Sequence, residues 1–219
     1  MTAKETNYLM IFVKNLIPGT VKTRLAQDIG MDAAMDVYKE LLDYTAEVAN
    51  KVETAKGVYY AQYVELYDDW DNEKYEKHVQ EGNGLGDRML HAFTAAFEKG
   101  FHKVVIIGSD SLEITKKHID EAFAELEKHD VVIGPAFDGG YYLLGLNNIF
   151  PALFENKGYS HANVMAEAID EIDKFGLSVK LLEQLHDVDT MEDLKRSGYE
   201  IIYDDDAEQD AGSDDEDFV

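Results

Sequence analysis

The stretch Val104-Val105-Ile106-Ile107-Gly108-Ser109-Asp110-Ser111 limits what this chain can fold into more than any other. Four consecutive β-branched apolar residues suit a strand covered on both faces, hence one in the middle of a parallel sheet. The run stops at a glycine, a small hydroxyl residue and an acid. In open α/β sheets, ligands sit outside the carboxyl ends of the strands. Asp110 therefore stands where such a sheet places a metal ligand or a catalytic base. The plain alternative is that Asp110 or Ser111 caps the helix that follows.

The rest of the chain alternates in the same style. Tyr8-Leu9-Met10-Ile11-Phe12-Val13 predicts the first strand. Over residues 31–52, Ala34, Val37, Tyr38, Leu41, Thr45, Val48 and Val52 recur at three and four, an amphipathic helix whose tyrosines read as core. A strand is expected over 57–66, whereas 68–78, with the single tryptophan Trp70, predicts no element. Leu90, Phe93, Ala96 and Phe97 form a helical stripe, as do Ile119, Ala122, Phe123 and Leu126 within 115–128. Residues 130–135 make a third buried strand. Asp138-Gly139-Gly140 between that run and Tyr141-Tyr142-Leu143-Leu144 is a hairpin signal, so one antiparallel strand enters the sheet. A further helix lies within 158–175 and a short strand over 177–182. Thr190 to Asp193 is a capping-box pattern that opens a helix. A mixed, mostly parallel sheet in a three-layer α/β/α, Rossmann-like arrangement follows.

Length favours one large domain over two small ones, and residues 1–203 are taken as that domain. The last 16 residues, 204–219, carry nine acids and no base, a solvated and disordered tail by composition. Its removal is expected to leave activity intact. The whole chain has a net charge of −25, and −16 remains without the tail. Such a field repels nucleic acid and anionic membrane, so neither is an expected partner. No apolar run reaches the ~20 residues of a membrane span, and residues 1–7 lack a signal-peptide pattern. With no cysteine there is no disulfide framework, which fits a cytoplasmic location.

Two loops stand out for chemistry. After the first strand, Lys14 through Leu25 contains Pro18-Gly19 and three cations, Lys14, Lys22 and Arg24, in an otherwise acidic chain. A strand, a loop and a helix opening suit phosphate binding on backbone N–H groups and basic side chains. It is not a Walker A loop, because the first glycine and the Gly-Lys pair are missing. Gln80 through Met89 holds Gly82, Gly84 and Gly86, which allow close approach of a ligand, with Arg88 behind them. Two of only three arginines thus fall beside glycine-marked turns, where a planar fork suits phosphate or a base edge. Asp187 and Asp189, two apart in an extended segment, point the same way and suit a shared cation. Asp110, Asp187 and Asp189 would repel a phosphate ligand unless a hard divalent ion stood between them, which argues for Mg²⁺ or Mn²⁺. The seven histidines show no zinc spacing.

Taken in order, five motifs resemble one family. They are Pro18-Gly19-x-x-Lys22-Thr23-Arg24-Leu25, Gln80-x-Gly82-x-x-Leu85-Gly86-x-Arg88-Met89, Gly108-Ser109-Asp110, Gly134-Pro135-x-x-Asp138-Gly139-Gly140-Tyr141-Tyr142-Leu143 and Asp187-Val188-Asp189-Thr190-x-Glu192-Asp193-Leu194. The set looks like the bacterial glycosyltransferase-like family of radical-SAM/selenodomain-associated transferases, within the GT-A nucleotide-diphospho-sugar transferase superfamily. Guanylyltransferases of the molybdenum-cofactor and phospholactate types share its plan. The resemblance implies nucleotide binding by Lys14, Gly19, Lys22, Arg24, Gln80, Gly82, Gly86 and Arg88. It implies a catalytic group of Lys22, Arg24 and Asp110, a metal on Asp110 with Asp187 or Asp189, and a sugar or acceptor pocket bordered by Asp138, Gly139 and Gly140. Two departures stand out. Ser111-Leu112-Glu113-Ile114 replaces a Cys/Thr-Pro-x-Leu turn, and Tyr159-Ser160-His161 replaces Trp-Ser/Thr.

The expected function is a metal-dependent transferase acting on a nucleotide-sugar or nucleoside triphosphate and a small-molecule acceptor. A guanylyltransferase-type nucleotidyltransferase and a catalytically silent nucleotide-binding module are the alternatives. A dinucleotide-dependent oxidoreductase is disfavoured, since no G-x-G-x-x-G follows the first strand. On this reading Asp110→Asn removes metal-dependent nucleotide binding and leaves the apo melting temperature nearly unchanged.

Overall fold

The structure, a computed structural model, describes residues 6–155, 158–159 and 163–199. The expected acidic tail, 204–219, lies outside them. Seven strands make one sheet: β1 (Asn7–Val13), β2 (Ala55–Tyr60), β3 (Tyr75–Val79), β4 (Lys103–Ile107), β5 (Val131–Pro135), β6 (Tyr141–Leu146) and β7 (Val179–Leu181). Their order is β3-β2-β1-β4-β6-β5-β7. Only β6 runs antiparallel to its neighbours, joined to β5 by the hairpin that Asp138-Gly139-Gly140 predicts. The parallel pair β1–β2 is crossed by α1 and α2, whereas β2 reaches its parallel neighbour β3 through a loop over 61–74 without a helix.

The helices are α1 (Ala26–Ile29), α2 (Met31–Asn50), α3 (Leu85–Glu98), α4 (Lys116–Glu125), α5 (Val164–Lys174) and α6 (Met191–Ser197). Side-chain alternation along the strands sorts them into layers. Leu9, Ile11, Val13, Val105 and Ile107 join Ala46 and Ala49 of α2 and Ile119, Ala122 and Phe123 of α4. Tyr8, Met10, Phe12, Val104 and Ile106 join Phe93 and Ala96 of α3 and Ala168 and Ile172 of α5 on the other face. Thus β4 is buried on both faces, as its unbroken apolar run requires. A third cluster packs Val21 and Leu25 on Val37, Tyr38, Leu41, Val188 and Leu194, which ties the first loop to the chain beyond β7.

Two local expectations shift. The strand expected over 57–66 ends at Tyr60. Past it, the buried Asn15 side chain accepts from the Gln62 N–H (3.0 Å) and donates to the Tyr63 carbonyl (2.9 Å), turning the chain out of the sheet. Conversely β3 forms where no element is expected. It is an edge strand with only Tyr75 buried, so it needs no apolar alternation to pair with β2.

Candidate active site at the carboxyl edge of the sheet

Beyond the ends of β1 and β4, a cleft of about 360 Å³ opens beside α3. Lys14, Gln80, Arg88 and Asp110, drawn from three separate stretches of the sequence, share its wall with Phe12, Met89 and Tyr141. Gln80 is tied down by its own amide, which donates to the carbonyls of Tyr59 (2.8 Å) and Val13 (3.2 Å). Its carbonyl oxygen then accepts from Arg88 Nη1 at 3.3 Å. Arg88 lies in the first turn of α3 rather than in a loop, and its Nε donates to the Gly82 carbonyl at 3.3 Å. The fork is therefore held at the cleft before any ligand arrives.

The glycines divide by role. Gly82 has φ +138°, a conformation that disfavours a side chain, and a Cβ there would meet Asp87 and Arg88 within 3 Å. Gly86, expected to let a ligand approach, is buried instead. A Cβ at Gly86 would sit 2.6 Å from the Phe154 carbonyl oxygen and 2.7 Å from the Tyr159 ring, so it serves helix packing. Gly86→Ala is expected to lose up to about 2 kcal/mol, the balance of a clash of ~1–3 and the ~1 that alanine adds to a helix. Gly84→Ala meets no atom and keeps an extended φ of −151°. Its weaker capping and its smaller unfolded-chain entropy offset each other, leaving stability within about 0.5 kcal/mol. Urea denaturation of the two variants side by side checks the contrast.

Lys22 is the most constrained residue of the site. Its φ of +44° is the one positive value on a non-glycine residue among those described, a strain that sites retain when surroundings dictate it. The side chain is buried, and its ammonium lies 2.5 Å from Asp110 Oδ1 and 3.0 Å from Asp189 Oδ1. Burial pulls its pKa down, but the two carboxylates more than reverse this, and the net shift is upward. Burial pushes the Asp110 carboxyl up, and the Lys22 ammonium more than offsets it, leaving the group below the usual carboxylate range. Lys14 and Arg24, by contrast, are exposed; Lys14 lines the cleft, and Arg24 is not part of its wall. Gly19 supplies a left-handed turn at φ +76° between them.

Tyr38 of α2, expected only in the core, also braces the site. Its hydroxyl accepts from the Lys14 N–H (2.8 Å) and shares a hydrogen bond with Ser109 Oγ (3.0 Å), linking the ends of β1 and β4. Nothing in the helical pattern distinguishes it from the other inward positions. The Val188 N–H donates to the Asp110 carbonyl at 2.8 Å, which draws the Asp187–Asp189 segment alongside. Thr190 and Asp193 close the expected capping box behind it. Burial, then the charges of Asp110, Asp138 and Asp189, push the Asp187 carboxyl up to about 8. Asp187 thus lies within the field of three other carboxylates. Asp138 does double duty, since its Oδ1 also accepts from the Gly140 N–H at 2.8 Å as a turn residue.

The three acids expected to hold a metal are neighbours, but the Lys22 ammonium stands between two of them. Among the described residues, no three acidic or histidine side chains close on a common point. The donor chemistry still fits Mg²⁺ or Mn²⁺, because such ions are usually held by one or two carboxylates with the substrate's phosphates completing the shell.

A mixed, mostly parallel seven-stranded sheet with helices on both faces and its cleft at the strand ends defines a nucleotidyl- and nucleotide-sugar-transferase-like fold. A provisionally named nucleotide-diphospho-sugar transferase from Desulfovibrio desulfuricans G20 matches it with a TM-score of 0.79 at 31% identity, over 87% of this chain and 85% of that one. The chain belongs to the bacterial family DUF2064, described as uncharacterized proteins conserved in bacteria, whose model matches residues 41–161. The 2-phospho-L-lactate guanylyltransferase of Methanocaldococcus jannaschii is 26% identical over 189 residues, 84% of this chain and 81% of that protein. The inositol-1-phosphate CTP transferase of T. maritima, at 13% identity and a TM-score of 0.58 over 90% of this chain and 95% of that one, shares the fold. Among the described residues, no helix is long and apolar enough to cross a membrane.

Proposed function

We propose that this protein is a transferase that binds a nucleoside triphosphate or nucleotide-sugar in the 360 Å³ cleft and passes part of it to a small acceptor. The observation that carries the reading is the buried Lys22, shared by Asp110 and Asp189 at the end of the central strand, beside the wall that holds Lys14, Gln80 and Arg88. A strained, buried cation between two carboxylates suits a site kept for function. Lys14, Arg24 and Arg88 would take the phosphates, and the Gly82 backbone and Gln80 would border the base and ribose. Asp110 with Asp187 or Asp189 would hold Mg²⁺ or Mn²⁺, which when bound supplies neutralisation of phosphate charge. No side chain of the site is placed as a covalent nucleophile. The acceptor hydroxyl therefore attacks directly, and Lys22 and Arg24 stabilise the charge that develops on the departing phosphate. Asp138, Gly139 and Gly140 would border the acceptor.

The kinship with a guanylyltransferase supports a second reading, nucleotidyl transfer to a small phosphorylated acceptor. Incubation with nucleoside triphosphates, nucleotide-sugars, sugar phosphates and Mn²⁺ separates the two. Pyrophosphate release marks nucleotidyl transfer, and free nucleoside diphosphate marks glycosyl transfer. Release of neither, with nucleotide bound, would make the protein a silent binding module.

A further inference from the structure

The turn after Asp110 departs from the family pattern at Ser111-Leu112-Glu113-Ile114, and in the structure that departure has a partner. Ser111 Oγ donates to the His186 carbonyl at 2.6 Å. Glu113 accepts from the His186 backbone N–H at 2.8 Å, and its carboxylate lies 3.2 Å from Nδ1 of the ring. Three contacts from one turn thus fix both the backbone and the ring of a residue that precedes Asp187. The His186 ring in turn lies flat on Phe137, with centroids 3.9 Å apart and planes 10° from parallel. A backbone bridge joins Ala136 to Leu185, and the Phe137 N–H donates to the Leu185 carbonyl at 3.0 Å, so the stack is rooted at its base. Yet Phe137 remains 55% exposed. Its ring is thus held from behind by His186 while more than half of it stays open to a ligand.

We infer that Phe137, backed by His186 and clamped through Ser111 and Glu113, is the stacking platform for the acceptor, and that this acceptor is an uncharged hydroxylated ring. The inference rests on the transferase reading and names the substrate class of its acceptor side. An aromatic face is electron-rich and takes the C–H face of a pyranoside or cyclic polyol. Asp138 and Asp187, each next in sequence to one ring of the stack, accept hydrogen bonds from its hydroxyls. Charge sets the rest of the class. The segments that build the platform, 110–114, 136–140 and 185–190, contain four aspartates and one glutamate and neither lysine nor arginine. The Lys22 ammonium is already paired with Asp110 and Asp189. A phosphate on the acceptor would face these acids while the cations of the cleft, Lys14 and Arg88, are committed to the phosphates of the nucleotide.

The test is saturation-transfer NMR on the full chain with nucleotide and Mg²⁺. The probes are a panel of methyl pyranosides and cyclohexane polyols, each compared with its monophosphate. The same samples are scanned for a nucleotide-induced rise in melting temperature. Saturation should reach the ring protons of at least one uncharged probe, with its monophosphate bound at least tenfold more weakly. Phe137→Ala should weaken that binding at least tenfold and Phe137→Trp should retain it. Glu113→Ala should weaken it three- to tenfold, with the nucleotide-induced rise preserved in all three variants. Equal or tighter binding of the monophosphate, or an unchanged Phe137→Ala, would overturn the platform. So would the absence of ring binding in a protein that still responds to nucleotide. Ring binding without any response to nucleotide would instead overturn the transferase reading, and the acceptor role with it.

Discussion

Asp110→Asn will lower the melting temperature of the ligand-free protein by about 2–12 °C and abolish the further rise that nucleotide with Mg²⁺ or Mn²⁺ produces. The near-constant melting temperature expected from sequence alone does not survive the ion pair with Lys22. Removing one partner of a buried pair typically costs about 3–5 kcal/mol, because the other charge is left uncompensated. Two features reduce that here. Lys22 keeps Asp189 at 3.0 Å, and the Asp110 side chain is 39% exposed, so solvent screens part of the interaction. A loss of about 1–3 kcal/mol follows, and about 2–4 °C per kcal/mol applies at this chain length. The pH dependence has a defined sign. Asp110 is held below its ordinary range, so its contribution is present above about pH 4 and is lost as pH falls through the depressed value. Lys22 is raised, so its share persists until pH climbs past about 10. Wild type and variant should therefore differ fully between about pH 4 and 10 and converge in acid. Thermal scans across that range read the effect, and an unchanged melting temperature at pH 7 would show that the ion pair contributes nothing.

The layout of this fold was legible wherever burial demanded an unbroken apolar run or a 3.6 period. That holds for β1, β4 and β5, for the hairpin into β6, and for α2 and α4. It failed at β3, whose edge position lets Tyr-Glu-Lys-His-Val pair without an apolar face. The site was legible as a set of positions and not as a set of contacts. Lys22 reads as one more cation in a loop, yet its partners lie 88 and 167 residues away. No local pattern encodes which acid a lysine will meet, because that follows from strand order and from the loop seated on α2. Gly86 shows the converse. A glycine that lets a ligand approach and a glycine that lets a neighbouring carbonyl approach have the same signature, and only the packed neighbour decides. Phe137 and His186 carried no signal at all, since each is an isolated ring in a loop and their stacking depends on the bridge between two distant segments.

Asp187→Asn should do the opposite to the fold and the same to function. Its carboxyl is pushed up to about 8, first by burial and then by the charges of Asp110, Asp138 and Asp189. A carboxyl whose folded value lies above its unfolded value of about 3.9 holds a proton that the unfolded chain releases. Stability therefore falls as pH rises from about 4 to 8, and the full penalty stands above that window. An amide in place of the carboxyl carries no such penalty. The variant should melt higher than wild type at pH 8, by about 1–2 kcal/mol once partial exposure is discounted, and match it near pH 4. It should also lose most of its divalent-dependent nucleotide response, because the repulsion it relieves is the field that would attract the ion. A gain in stability coupled to a loss of binding is what a group retained for chemistry produces. If melting at pH 8 dropped instead, Asp187 would be a structural acceptor that owes its place to the fold alone.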